Sequence, residues 1–412
     1  MATWAAAQQQ PRVFRPGRGG PGRGAPGRAT GRGNATPPPA PGFNNQTVRM
    51  IAHTSLGGRS VRVALSNEHS AAPLKIGAAH IALREKGSAI VPGTDRPLLF
   101  NGKASVTIPP EARVLSDAVD LGVPALSDVA VSVYLPGDTG PATTHSLGLH
   151  TTYISQPGDF TGAASIDSAR TAQSWYFLSD IDVLAPADAG AIVAFGDSIT
   201  DGARSTPDTN RSWPSRLAER LNGVPADLAV VNEGISGNRV LRDGAGISAL
   251  ARFDRDVLGQ PGVKWVILLE GINDIGIAGR PTSPAADKVT ADDIIGALAQ
   301  MVDRAHMHGI KVMGCTLTHF EGASYYSDSG EAIREAVNQW IRMSGTFDAV
   351  SDFDAVARDP NNPKQIRPNF NDGDHLHPND AGYKAIADSI DLSVFSPKAA
   401  PVSARAARTQ GR

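Results

Sequence analysis

The chain has 412 residues and a formal net charge of −2, with 41% hydrophobic and 19% charged residues. That balance is typical of a soluble globular protein long enough for two domains. Nine arginines precede the first acidic residue, Glu68, so the remainder is acidic, which argues against nucleic acid as a main partner. The single cysteine, Cys315, excludes an internal disulfide, and no apolar run reaches the length of about 18 residues needed to span a membrane.

Residues 1–45 lack hydrophobic periodicity and are dense in Gly, Pro and Arg, as in Arg15-Pro16-Gly17-Arg18-Gly19-Gly20-Pro21. Such a segment buries too little apolar surface to offset its ordering entropy, so the expectation is disorder. Two Gly-x-Gly-x-x-Gly patterns, at Gly17 and Gly22, follow no strand and open no helix, and are read as accidents of composition. A solvated linker or tethering arm is preferred to an RNA-binding tail. Ala5-x-Ala7 fits a small-residue cleavage site, although the charged and apolar parts of a leader are missing. A secreted or envelope location is the expectation, with a cytoplasmic one as the alternative.

Over residues 46–186 the pattern is β. Alternating runs at Val61–Leu65, Ser105–Ile108 and Val129–Tyr134 are separated by turn clusters such as Pro92-Gly93-Thr94-Asp95. Many short strands with Gly/Pro punctuation predict a β-sandwich or jelly-roll-like domain. Its histidines, His53, His69, His80, His145 and His150, are scattered and read as structural.

Over residues 187–396 strand-like runs alternate with helical periodicity. The strands are predicted at Ala191–Phe195, Leu228–Val231, Trp265–Leu269, Ile310–Cys315 and Ala349–Phe353. Ile294, Ile295, Leu298, Met301, Val302 and Ala305 trace one face of a helix. Thr290 with Asp293 fits a capping box at its start, Gly309 ends it, and Gly345 ends the next. This alternation predicts a parallel sheet covered on both faces, with sites at the carboxyl ends of its strands. Residues 397–412 are read as a disordered tail.

Four blocks could carry chemistry. Gly196-Asp197-Ser198-Ile199-Thr200 follows the first of these strands. Ser198 there is either a nucleophile awaiting a base or an ordinary helix cap. Asn232-Glu233-Gly234-Ile235-Ser236-Gly237-Asn238 ends the next strand, and its glycine N–H can face a developing oxyanion. Gly271-Ile272-Asn273-Asp274 offers a side-chain amide for the same purpose, or merely a turn. Asp372-Gly373-Asp374-His375-Leu376-His377-Pro378 contains two Asp-x-x-His frames that spacing alone does not separate. A metal site is disfavoured, because His375-x-His377 has no strong ligand spacing. No Gly-x-Ser-x-Gly elbow is present.

Taken together and in this order, the four blocks closely resemble the SGNH/GDSL hydrolase superfamily over roughly residues 191–390. The resemblance implies a flavodoxin-like α/β/α three-layer catalytic domain. It implies Ser198 as nucleophile, Asp374 and His377 as the rest of a triad, and an oxyanion hole formed by Ser198, Gly237 and Asn273. Pro378 and the residues after it favour the His377 frame. No cofactor or metal is implied. The expected activity is hydrolysis of carboxylic esters, short acyl or acetyl, on a small-molecule or carbohydrate substrate. The alternatives are a lysophospholipase or lipase and, from another class, a non-catalytic carbohydrate-binding protein with a degenerate hydrolase domain. The preceding β-region looks like the N-terminal domain of some bacterial members, which implies no activity of its own. Oligomeric state is left open.

Overall fold

The computed structural model describes residues 1–11, 42–167, 170–224, 227–280 and 283–395. The N-terminal half contains β1 (Ala2–Ala5), β2 (Gln46–Thr54), β3 (Gly58–Ser66), β4 (Ala78–Lys86), β5 (Val119–Val123), β6 (Ser127–Leu135), β7 (Thr152–Pro157), β8 (Arg170–Ala172) and β9 (Leu178–Val183), with shorter strands between them. They form two antiparallel sheets. One has the order β1-β9-β3-β5, with Arg113–Leu115 added along β3. The other has the order β8-β7-β2-β6-β4, extended by Ala89–Ile90 and Arg96–Pro97. Alternate residues explain why they pack: Val48, Met50 and Ala52 of β2, Val61, Val63 and Leu65 of β3, and Val129, Val131 and Val133 of β6 share one buried core. The run predicted at Ser105–Ile108 is a three-residue strand, Val106–Ile108, paired with Leu74–Ile76.

The disorder expected over residues 1–45 is corrected at both ends of that segment. Ala2–Ala5 is a strand antiparallel to β9, and Ala2, Trp4, Ala5, Ala6 and Ala7 are buried. Phe43 is buried too, against Tyr176 and Phe177. The cause is cooperative. Four residues, Ala-Thr-Trp-Ala, have no periodicity worth reading, yet they complete a sheet edge, and Trp4 packs edge-on to Trp175 at 4.8 Å. Ala5 and Ala7, which carry the cleavage-site pattern, are interior residues here. Residues 12–41, which carry the Gly/Arg-rich repeats, and the tail expected over 397–412 lie outside the described residues.

The C-terminal half is an α/β sandwich. Its strands are β10 (Gly190–Gly196), β11 (Leu228–Gly234), β12 (Val263–Leu269), β13 (Lys311–Cys315) and β14 (Ala349–Ser351). All pair in parallel in the order β11-β10-β12-β13-β14. The reversal of order at β10 is the flavodoxin-like switch point, outside which ligands bind. Every residue of β10 is buried, as expected for a strand covered on both faces. Helix Ala291–Met307 begins with the capping box of Thr290 and Asp293, and Gly309 and Gly345 each take positive φ just after a helix end. The last strand stops earlier than predicted. Asp352 caps a short helix, Phe353–Ala357, by accepting from the Ala355 N–H, so Phe353 is helical and buried.

The halves are stitched along β1. The Ala2 N–H donates to Pro261 O, the Val230 N–H of β11 donates to Ser55 Oγ, and Gln260 Nε2 bridges Asp180 and Glu233. Among the described residues no helix is long and apolar enough to cross a membrane.

Candidate active site

Strand register builds the site. Gly196 of β10 lies opposite Gly234 of β11 on one side and Leu269 of β12 on the other. Ser198, Gly237 and Asn273 follow those three positions within a few residues, so the in-register strand ends deliver all three to one spot. Two glycines are required by close approach. A Cβ on Gly196 would lie 2.3 Å from Leu269 O and from Thr200 Oγ1, and one on Gly234 would lie 2.2 Å from the Asp201 N. The turn Ser198–Asp201 thus sits directly on the end of β11.

Asp197 caps that turn by accepting from the Ile199 N–H at 2.9 Å. Ser198 is 5% exposed and opens the helical turn. Its hydroxyl is 2.8 Å from His377 Nε2, and His377 Nδ1 is 2.7 Å from Asp374 Oδ2. The other Asp374 oxygen accepts from the N–H groups of Leu376 and His377 at 3.0 and 2.9 Å. Burial opposes ionisation of Asp374, but the hydrogen bond, the charge and the N–H of His377, with the Leu376 N–H, outweigh it. The carboxyl is held well below the usual range. An ionised Asp374 accepting at Nδ1 puts the ring hydrogen there, which leaves Nε2 free to accept from the serine.

The rival Asp-x-x-His frame has a different geometry. His375 sits at φ +60°, its Nδ1 faces the Asn371 amide at 3.1 Å, and its ring rests over Gly322. Asp372 lies 3.6 Å from Arg204 Nε, and the same nitrogen is 3.4 Å from Asp374. Leu376 is buried between the two histidines.

Ser198, Gly237 and Asn273 line the same cleft. Among the described residues neither the Ser198 nor the Gly237 backbone N–H donates a hydrogen bond. Gly237 reaches its orientation at φ +82°. Asn273 Nδ2 donates one hydrogen to Asn238 O at 2.9 Å, and Tyr325 Oη donates to Asn273 Oδ1 at 3.2 Å. Since a backbone carbonyl only accepts, this pairing settles which end of the amide is nitrogen. Asp274 is buried and pushed up to about 6 by that burial. It accepts from the Val240 and Leu241 N–H groups and so ties the second block to the third.

These groups border an open cleft of about 810 Å3 whose walls also include Arg204, Ile277, Arg280 and Tyr325. The chemistry available is proton transfer from a serine hydroxyl to an oriented imidazole beside donors for an anionic oxygen. Sequence reasoning missed Arg204, Tyr325 and the carboxyl pair Asp197–Glu270, none of which has a local pattern. Among the described residues no group of three or more His, Cys, Asp or Glu is arranged to hold a metal.

Residues 194–385 match the model of the GDSL-like Lipase/Acylhydrolase family. None of the curated proteins matches the chain. Solved structures similar to it include a catalytic mutant of an acetylxylan esterase from Geobacillus stearothermophilus (22% identity, TM-score 0.40, covering 52% of this chain and 97% of that one). Another is a GDSL-like lipase from Bacteroides thetaiotaomicron (19% identity, TM-score 0.38, covering 50% of this chain and 87% of that one).

Proposed function

Because residues 194–385 match the GDSL-like Lipase/Acylhydrolase family model, we propose that the chain is a serine ester hydrolase acting on short acyl or acetyl esters. The observation that carries this reading is the continuous line Ser198–His377–Asp374, at 2.8 and 2.7 Å, beside the donors of Ser198, Gly237 and Asn273. His377 takes the proton of Ser198 as its oxygen attacks the ester carbonyl. The three donors hold the tetrahedral oxyanion. His377 returns the proton to the departing alcohol, and water then repeats the sequence on the acyl-enzyme. Each step uses side chains and backbone of this chain alone.

The breadth of the cleft and the polar residues on its walls favour a small or carbohydrate-borne ester over a long acyl chain. A lipid-type substrate would need a deep apolar channel to cover it. The test is a series of p-nitrophenyl esters from acetate to decanoate, with acetylated oligosaccharides, on wild type and Ser198→Ala. Activity should be greatest on the shortest acyl groups and fall by about 10³-fold or more in the variant. Full activity in a purified, folded Ser198→Ala protein overturns the proposal.

A further inference from the structure

His145 belongs to a two-residue ladder of the N-terminal half, Thr144–His145 with Trp175–Tyr176, and its ring is 5.5 Å from that of Trp175. Its side chain is 3% exposed. Nδ1 lies 2.8 Å from Ala7 O and Nε2 lies 3.0 Å from Asp201 Oδ1. A carbonyl and a carboxylate offer only acceptors, so both ring nitrogens must carry hydrogen and the ring is a buried imidazolium. Asp201 supplies its counter-charge. The other Asp201 oxygen accepts from the Ser236 N–H at 2.8 Å and the Ser236 hydroxyl at 2.5 Å. Asp201 closes the turn that Ser198 opens, and Ser236 immediately precedes Gly237.

We propose that His145 is a positioning residue for the oxyanion hole, acting from the sandwich through Asp201 on the Ser236–Gly237 backbone. The proposal rests on the esterase reading for its catalytic consequence, though not for its geometry. An ionised Asp201 can hold His145 and both Ser236 donors at once, which fixes where the Gly237 N–H points. A second tie runs in parallel. Gln9 Nε2 donates to Ala245 O, and its Oε1 accepts from the Ser146 N–H and hydroxyl. Ala245 in turn is the nearest neighbour that a side chain on Gly237 would meet. The N-terminal strap formed by residues 1–11, the sandwich and the oxyanion loop are therefore one mechanical unit. The sandwich acts in the reaction by holding a loop, without touching substrate.

The charges around the ring are arranged for this. Burial disfavours the cation, but the charge and hydrogen bond of Asp201 and the Ala7 carbonyl outweigh it, so the ring holds its proton above the usual range. Arg252, from helix Ala249–Phe253, opposes. His53, His150 and Arg211 share with His145 and Asp201 the walls of a small cavity of about 70 Å3 between the halves.

The experiment uses the full chain as wild type, His145→Gln, Ser236→Ala and the double variant. Two quantities are read: kcat and KM on p-nitrophenyl acetate, and amide hydrogen exchange of the peptide containing residues 235–238. His145→Gln cannot supply two opposed donors. It should speed exchange in that peptide and lower kcat by about tenfold to a hundredfold with KM within about twofold, as for a displaced oxyanion donor. Ser236→Ala, which leaves the buried ring intact and guards against a folding defect, should shift both quantities the same way. The double variant should lose much less than the product of the two single effects, because both act through Asp201. Unchanged exchange at residues 235–238 in His145→Gln and Ser236→Ala overturns the proposal, as does a strictly multiplicative double variant. Faster exchange in the two variants, beside a wild-type protein that hydrolyses no ester, would leave this linkage standing and overturn the esterase reading instead.

Discussion

Asp197, which caps the serine turn, and Glu270 are carboxyl groups that perturb each other's ionisation, and both are cut off from solvent. Asp197 Oδ2 and both Glu270 oxygens have no hydrogen-bond partner among the described residues, and a proton held between the two groups would satisfy them. Burial pushes Asp197 up to about 6 despite the bond from the Ile199 N–H. Burial and the Asp197 charge raise Glu270 well above the usual carboxyl range.

A raised carboxyl binds a proton in the folded chain that the unfolded chain has already lost. Its contribution to stability is complete below the unfolded value, about 4, and is lost as pH rises through the folded one. The thermal midpoint should therefore carry a downward term between about pH 4 and 7 from Asp197, Glu270 and Asp274. Glu270→Gln, which offers Asp197 a permanent donor, should make that decline shallower in unfolding scans at half-unit pH steps. A steeper decline in the variant would rule out the shared proton. Asp374, held low, acts at lower pH and in the opposite sense, since its stabilisation is lost as pH falls.

The two Asp-x-x-His frames separate by single substitutions. His377→Ala should reduce kcat on an activated ester by about 10³-fold or more, and His375→Ala by about tenfold or less. Asp374→Ala should be impaired far more than Asp372→Ala, whose partner is the exposed Arg204. Circular dichroism on all four variants verifies folding. An inactive His375→Ala beside an active His377→Ala would reverse the assignment.

Asn273→Ala should lower kcat by about 10²-fold with a smaller change in KM, since the amide binds charge that develops only in the transition state. Tyr325→Phe removes the hydroxyl that orients this amide at 3.2 Å. It should lower kcat in the same direction by a lesser factor, about threefold to tenfold, because the bond to Asn238 O remains. Raised KM with normal kcat in Asn273→Ala would show that the amide binds ground-state substrate.

Trp4→Ala should destabilise the protein by about 3–5 kcal/mol, as expected for loss of a large buried ring. The measurement is chemical denaturation of the purified variant. A change under about 1 kcal/mol would show that β1 contributes little to holding the halves together.

The strands, helices and four blocks of the C-terminal half were legible because their signals are local. A buried apolar run, a capping box and a glycine after a helix each declare themselves within a few residues. Even there the end of β14 was misjudged, since Val350 and Phe353 are both apolar and only the cap at Asp352 separates strand from helix. The strap was illegible. Ala2–Ala5 offers only four residues, and its meaning lies in β9, far along the chain. His145 and Asp201 were missed for the same reason: nothing near either residue signals a partner on the other half of the molecule. Scattered histidines in a β-region read as structural, and for His80, bonded to Asp95, the structure shows that, whereas His53 bonds Asp128 and also meets Asn210 of the other half at 3.0 Å.

The strap also sets an order of assembly during synthesis. Ala2 leaves the ribosome well before its strand partner Asp182 and the carbonyl of Pro261 that takes its N–H. At about 5–20 residues per second the wait is roughly ten seconds to a minute. Throughout that interval Trp4 and the alanines around it have no interior to enter. The nascent chain is most exposed to wrong strand pairing at this stage, when the sandwich is complete but for its first strand. Closure of β1 is thus the step that commits the two halves to each other, and a chaperone that shields β1 would act on this protein early and release it late.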